Sequence, residues 1–241
     1  MVKVVKKQEN TTAKAELPEN ANEIFKLKID RETQKFFIEG LDSYGKFDEV
    51  TIRPLDTLNK IVAYNDEFEV KAESTLYREL KQATDSWGGK AGDGKLCGRL
   101  LWKADTNKLS DEEKQANKEK AKFYALIFGI ATVYGKKPVL IDLRVGGSKF
   151  MDVISILNKI KQDKKEYNKA ELKVKAYPSE DYDWPELEFM PDFSRELPVT
   201  GLEPCLETVE AYIEKHNSDV EKKAQKHTEW KASKSTSFKR K

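Results

Sequence analysis

Histidine and cysteine are scarce, two of each in 241 residues. Cys97 and Cys205 stand far apart, so a disulfide framework is excluded, and so is a four-ligand zinc site without carboxylates at unusual spacing. Two free thiols in a reducing compartment are expected. Long apolar runs are also missing. No stretch approaches the roughly eighteen residues of a membrane span, and MVKVVKKQENTT lacks the apolar core of a signal peptide, which points to the cytoplasm, the host's if the protein is viral. Neither G-x-x-x-x-G-K-[ST] nor G-x-G-x-x-G occurs, so the two common nucleotide-phosphate loops are excluded. No cofactor and no metal are expected.

Charge is what the chain has in excess. Charged residues make up 36% of it, against roughly 25% in an average domain, while the net charge is only +2. The signs fall in blocks. Lys136 to Lys175 carries eleven Lys/Arg against five Asp/Glu, Pro178 to Glu214 carries eleven Asp/Glu against Arg195 alone, and Lys226 to Lys241 is basic by six to one. Such blocks imply a polyanion-facing region beside an acidic one; a mixed solvated surface gives a similar pattern.

Hydropathy patterning divides the chain. Residues 1–22 are polar and without period and read as a flexible arm. Short alternating runs over 23–85 (Ile24–Ile29, Gln34–Glu39, Val50–Leu55, Lys60–Val70) predict a β-rich extension, although Leu55, Leu58, Ile61 and Val62 also fit helical spacing. SWGGKAGDGK, Ser86 to Lys95, reads as a mobile glycine loop. A barrel is expected over 95–195. Its strands are Leu96–Lys103, Phe123–Tyr134, Pro138–Val145, Lys169–Tyr177 and Glu186–Met190, with a hairpin at Gly135-Lys136-Lys137. Ser110 with Glu113 forms the pattern of a helix start. Ser148 stands where an N-cap belongs, ahead of a helix whose apolar face is Phe150, Val153, Ile154, Leu157 and Ile160. A C-terminal helix over 200–230 and a basic tail over 231–241 complete the chain.

The order strand, loop, strand, hairpin, strand, helix, strand, loop, strand from Lys95 to Phe193, with FYALIFG and KKPVLIDLRVGGSKF as its clearest pieces, resembles the phage-type single-stranded-DNA-binding proteins of the OB-fold kind. The resemblance implies a five-stranded barrel with a helix between its third and fourth strands. It also implies sequence-tolerant, non-catalytic binding of single-stranded DNA in replication, recombination or repair, with replication or recombination proteins as further partners. DNA against RNA, site size and oligomeric state stay open.

Binding of that kind needs cations for phosphates and ring faces for bases. On Lys169–Tyr177 the alternation sends Leu172, Val174 and Ala176 inward and puts Lys173, Lys175 and Tyr177 together on the other face. Arg144 projects opposite Val139, Ile141, Leu143 and Val145. Arg99 and Lys103 share a strand face. Trp87 lies in the glycine loop, Tyr124 on the hairpin, and Tyr182 and Trp184 in the fourth-to-fifth loop. Gly146-Gly147-Ser148 with Lys149 precedes a helix N-terminus, an arrangement that favours an anion, here a backbone phosphate; a turn that merely reverses the chain accounts for it equally. Core packing is the bland reading for Tyr124, Phe128 and Trp102, and a solvated face for Lys173 and Lys175. Five acidic residues between Pro178 and Glu188 work against phosphate nearby.

Two other classes fit parts of the sequence. Asp142 with Glu171-Leu172-Lys173 has the residue types of a metal-dependent nuclease, provided the two strands are neighbours. A structural or adaptor protein of a virion or replication complex accounts for the N-terminal extension and the long C-terminal helix.

Overall fold

The computed structural model describes residues 17–101, 107–147, 149–164, 169–180, 184–194 and 197–238, without the side chains of 161–164 and 233–238. Its strands are Phe25–Ile29 (β1), Phe36–Ile38 (β2), Glu49–Tyr64 (β3), Val70–Glu73 (β4), Lys95–Leu96 (β5), Arg99–Leu100 (β6), Lys122–Thr132 (β7), Val139–Gly146 (β8), Glu171–Tyr177 (β9) and Glu186–Asp192 (β10). The helices are Asp111–Lys120 (α1), Lys149–Lys164 (α2) and Glu203–Phe238 (α3). The fold is mainly β. One curled sheet runs in the order β10-β9-β3-β7-β8-β1-β2, with β4 hung on the end of β3, and β5-β6 forms a small ladder apart.

Alternation accounts for the two hairpins. In β7 and β8, Ala125, Ile127, Ala131, Ile141, Leu143 and Val145 turn to the inner face, where Val153, Leu157 and Ile160 of α2 close over them. Leu126, Phe128, Ile130 and Leu140 turn outward and are covered instead by Leu202, just ahead of α3, and by Cys205 and Val209 of α3. Both faces are therefore buried, each large apolar side chain contributing about 1.5–3 kcal/mol. β9 and β10 pair antiparallel, with Val174 opposite Phe189, and Leu172, Val174 and Ala176 join the inner core. Ser110 caps α1 reciprocally, its Oγ accepting from the Glu113 amide while Glu113 Oε2 accepts from the Ser110 amide.

Long-range pairing departs from the sequence reading at β3. The helical spacing of Leu55 to Val62 belongs to a strand. Leu55 and Leu58 face α3 while Ile61 enters a third cluster with Tyr77, Leu96 and Cys97, so both sides are apolar. The register shifts between Pro54 and Asp56, which accommodates a proline that has no amide to donate. β3 lies between β7 and β9, so the sheet runs straight through the boundary expected near residues 85–95. Of the strand expected over Leu96–Lys103, the described part, 96–101, is not in this sheet; Leu96 and Arg99–Leu100 belong to the β5-β6 ladder. Cys97 and Gly98, at φ 50 and 75, reverse the chain between β5 and β6. α3 continues to Phe238, into the stretch read as a tail. Among the described residues no helix is long and apolar enough to cross a membrane.

Candidate nucleic-acid interface

The open end of the β7–β8 hairpin carries Tyr124, half-buried against the cluster that α3 covers. Arg144 is exposed there, and its guanidinium carbon lies 5.2 Å from the centroid of the Tyr124 ring. Tyr64 donates to the Tyr124 hydroxyl at 3.1 Å. Burial and the Tyr64 bond together push the Tyr124 hydroxyl well above the ordinary phenol range. Gly146 stands opposite Tyr124 in register, and a Cβ there would come within 2.6 Å of two ring carbons. Lys60 is the β3 partner of Tyr124 in register, and its ammonium meets Glu73 at 2.7 Å. Burial pulls the Lys60 ammonium down more than Glu73 raises it. Asp142 is buried beside Arg144 and its Oδ1 meets no donor; burial raises its carboxyl against the pull of Arg144, Lys26 and Lys60.

The loop from β4 to β5 holds Trp87 by a different device. The Asp85 carboxylate accepts from the amides of Trp87 and Gly89, each at 2.8 Å, and from the amide of Cys97. A Cβ on Gly89 would lie 2.5 Å from an Asp85 oxygen, so the glycine is required by this turn. The loop expected to be mobile is thus tied to one buried carboxylate. Lys71 stands 5.7 Å from the Trp87 ring centroid. Cys97 is sealed behind it, its thiol pushed up to about 12 by burial and by Asp85.

Arg99 lies 4.5 Å from the Phe123 ring centroid and donates to the Ala121 carbonyl at 2.9 Å, in a cleft of about 380 Å³ that Lys114 and Lys118 also line. Phe123 and Tyr124 are consecutive in a strand and point to opposite faces, so this pair lies across the sheet from Arg144. Trp184, 48% exposed, stacks with Arg31 at 4.7 Å.

The strip on β9 is arranged as its alternation predicts, but it is not a free cationic face. Glu49 of β3 bridges Lys173 at 3.2 Å and Lys175 at 3.0 Å, and hydrogen bonds from the two lysines hold its carboxyl low. Tyr177 donates to Glu188 at 2.7 Å. Lys149 and Tyr177 line a groove of about 630 Å³ with Asp152, Glu186 and Glu188, acid enough to disfavour an anion. Lys103 and Tyr182, like Trp102 and Ser148, lie outside the described residues. Those of the chosen residues that are described therefore do not share one channel. Tyr124 meets Arg144, Lys149 and Tyr177 line one groove, and Lys173 lies beside Lys175, while Arg99, Trp87 and Trp184 each stand in a separate cation–ring pair.

Sequence reasoning missed Lys60, Tyr64, Arg31 and Lys71, which reach their partners through pairings no local pattern reveals. It also missed His227 and Trp230, whose three-residue spacing on a helix is a readable signal. For the nuclease reading, β3 and β7 stand between the strands of Asp142 and Glu171. Three strand spacings of about 4.8 Å keep these carboxylates too far apart to share one ion. Compared with protein-family models, with curated proteins and with solved structures, the chain matches none.

Proposed function

We propose that the protein binds single-stranded DNA without sequence preference and without catalysis, using the open end of the β7–β8 hairpin and the loops beside it. The order β10-β9-β3-β7-β8 is the order five-four-one-two-three of an OB-fold when β3 is taken as first strand, and α2 then falls between the third and fourth. In that reading β1, parallel to β8, occupies the outer edge of the third strand. OB-folds take oligonucleotides on strands two and three and on the loops joining one to two and four to five. On that reading those elements are β7, β8 and the described residues within 65–121 and 178–185.

One observation carries the proposal. Each of the four cation–ring pairs among the described residues draws on these elements: Arg144 on Tyr124, Arg99 on Phe123, Lys71 on Trp87 and Arg31 on Trp184. A guanidinium or ammonium resting on a ring offers a phosphate its charge and a base its flat face. Both recognise features common to every nucleotide, which is why such binding tolerates sequence.

Quenching of the tryptophan fluorescence by single-stranded and duplex oligonucleotides at two salt concentrations tests this. Single strands are expected to quench, duplex weakly, and affinity to fall with salt as phosphate contacts release counterions. Arg144→Ala should weaken binding about tenfold, in line with the roughly 1–3 kcal/mol of a stacked or charge-paired nucleotide. Equal quenching by duplex would identify a general polyanion binder. An adaptor role is favoured by the largely exposed stretch of α3 from Glu221 to Ala232, and absence of quenching by either nucleic acid would select it.

A further inference from the structure

We infer that Trp87, His227 and Trp230 form a second stacking platform, on which α3 carries the unpaired bases of the strand onward from the hairpin. This rests on the single-strand reading above and extends it to two residues of α3 outside the OB-like elements. The three rings form a ladder across two parts of the chain. Trp87 and His227 have centroids 6.3 Å apart at 28°, and His227 and Trp230 are 5.7 Å apart at 33°. His227 and Trp230 share one helix face by their spacing, and Trp87 reaches them from the loop held by Asp85. The loop comes so close that a Cβ on Gly88 would lie 3.3 Å from Thr228 Oγ1.

If the ladder served only to glue the loop to the helix, its outer ring would be covered. Instead Trp230 leaves 52% of its surface to solvent. Its surroundings suit a polyanion. Lys71 lies over the Trp87 ring, and among the described side chains of α3 from Lys222 to Ala232 there are four lysines against Glu229 alone. The ladder is also joined to the hairpin site. Lys223 of α3 and Lys60 of β3 hold the same Glu73 carboxylate at 2.7 Å each, and Lys60 stands beside Tyr124. The shared Glu73 carboxylate thus ties α3 to the strand that carries Tyr124's partner, with both lysine charges met by Glu73. Rings with phosphate-facing lysines between them are the pattern by which proteins hold single strands, whereas a duplex keeps its base faces stacked internally.

The test uses the full chain and labelled oligothymidylate, read by fluorescence anisotropy. Trp230→Ala is expected to weaken binding about 5- to 150-fold, the effect of losing one stacked base. Trp230→Phe, which keeps a ring, should stay within about threefold of the unaltered protein. Lys71→Ala leaves all three rings in place, and should flatten the salt dependence by roughly 0.7 in log–log slope, one phosphate contact. This second variant decides the matter should Trp230→Ala disturb the helix. The inference falls if Trp230→Ala binds normally while Arg144→Ala does not, or if phenylalanine proves as poor as alanine, and in either case the hairpin reading stands; if Lys71→Ala leaves the slope unchanged the inference also falls, and the hairpin reading loses the Lys71–Trp87 pair and rests on Arg144→Ala. Failure of the unaltered protein to bind any single strand would overturn the hairpin reading itself.

Discussion

Gly146 and Gly147 stand together in the sequence but do different work. At Gly146 the missing Cβ makes room for the Tyr124 ring, 2.6 Å from where that carbon would be. At Gly147 there is open space, and a φ of 65° is what a glycine supplies. The pair reads as a phosphate turn until the ring is placed beside it. Gly146→Ala should push the Tyr124 ring away from Arg144 and lower single-strand affinity severalfold. Gly147→Ala should cost about 1 kcal/mol of stability through its left-handed backbone and leave affinity unchanged. Anisotropy titrations and thermal melts of the two variants check this; equal effects on affinity would show that the ring's position does not matter.

Among elements, the connection of α3 to the sheet has the clearest electrostatic signature. Burial tends to raise the Glu73 carboxyl, but hydrogen bonds from Lys223 and Lys60 outweigh it and hold the pKa at about 2. A carboxyl lowered in the folded state contributes stability that is complete above its ordinary value of 4.5 and is lost as pH falls from there toward 2. The melting temperature should drop through that window. Glu73→Gln should flatten the drop and cost about 3 kcal/mol at neutral pH, because it leaves the Lys60 ammonium buried without its counter-charge. Melts of both proteins across that range measure it, and parallel curves would contradict the assignment. Elements whose order is set locally were legible in the sequence: the β7–β8 hairpin, the capping box of α1, the apolar face of α2 and the alternation of β9. Leu55 to Val62 misled because a strand buried on both faces has no simple period, and the bulge after Pro54 shifts what period there is. Leu96 to Lys103 misled because the apolar run contains a reversal at Cys97 and Gly98.

For the molecule as a whole, the decisive fact is that its central strand comes from the N-terminal third. β3 pairs with β7 from Thr51 to Val62 and with β9 from Glu49 to Ile52, so it joins the two hairpins to each other. A fragment limited to 95–195 would expose the inner edges of β7 and β9 with nothing between them. It should fail to fold, giving no cooperative melt by circular dichroism, whereas a fragment starting at 17 and keeping α3 should melt cooperatively. A cooperative transition in the shorter fragment would refute the dependence on β3.

The sequence by itself determined which residues turn inward along each hairpin, where α2 runs and that Arg144 points away from the core, since each of these follows from side-chain periodicity within a few neighbours. Tertiary structure alone decided the rest. It set Glu49 against Lys173 and Lys175, drew Lys60 to Tyr124, laid α3 over the apolar outer face of the hairpin, and brought His227 and Trp230 to Trp87. The physical reason is that charges and rings act through space while periodicity acts along the chain, so a lysine's availability depends on a carboxylate more than a hundred positions away.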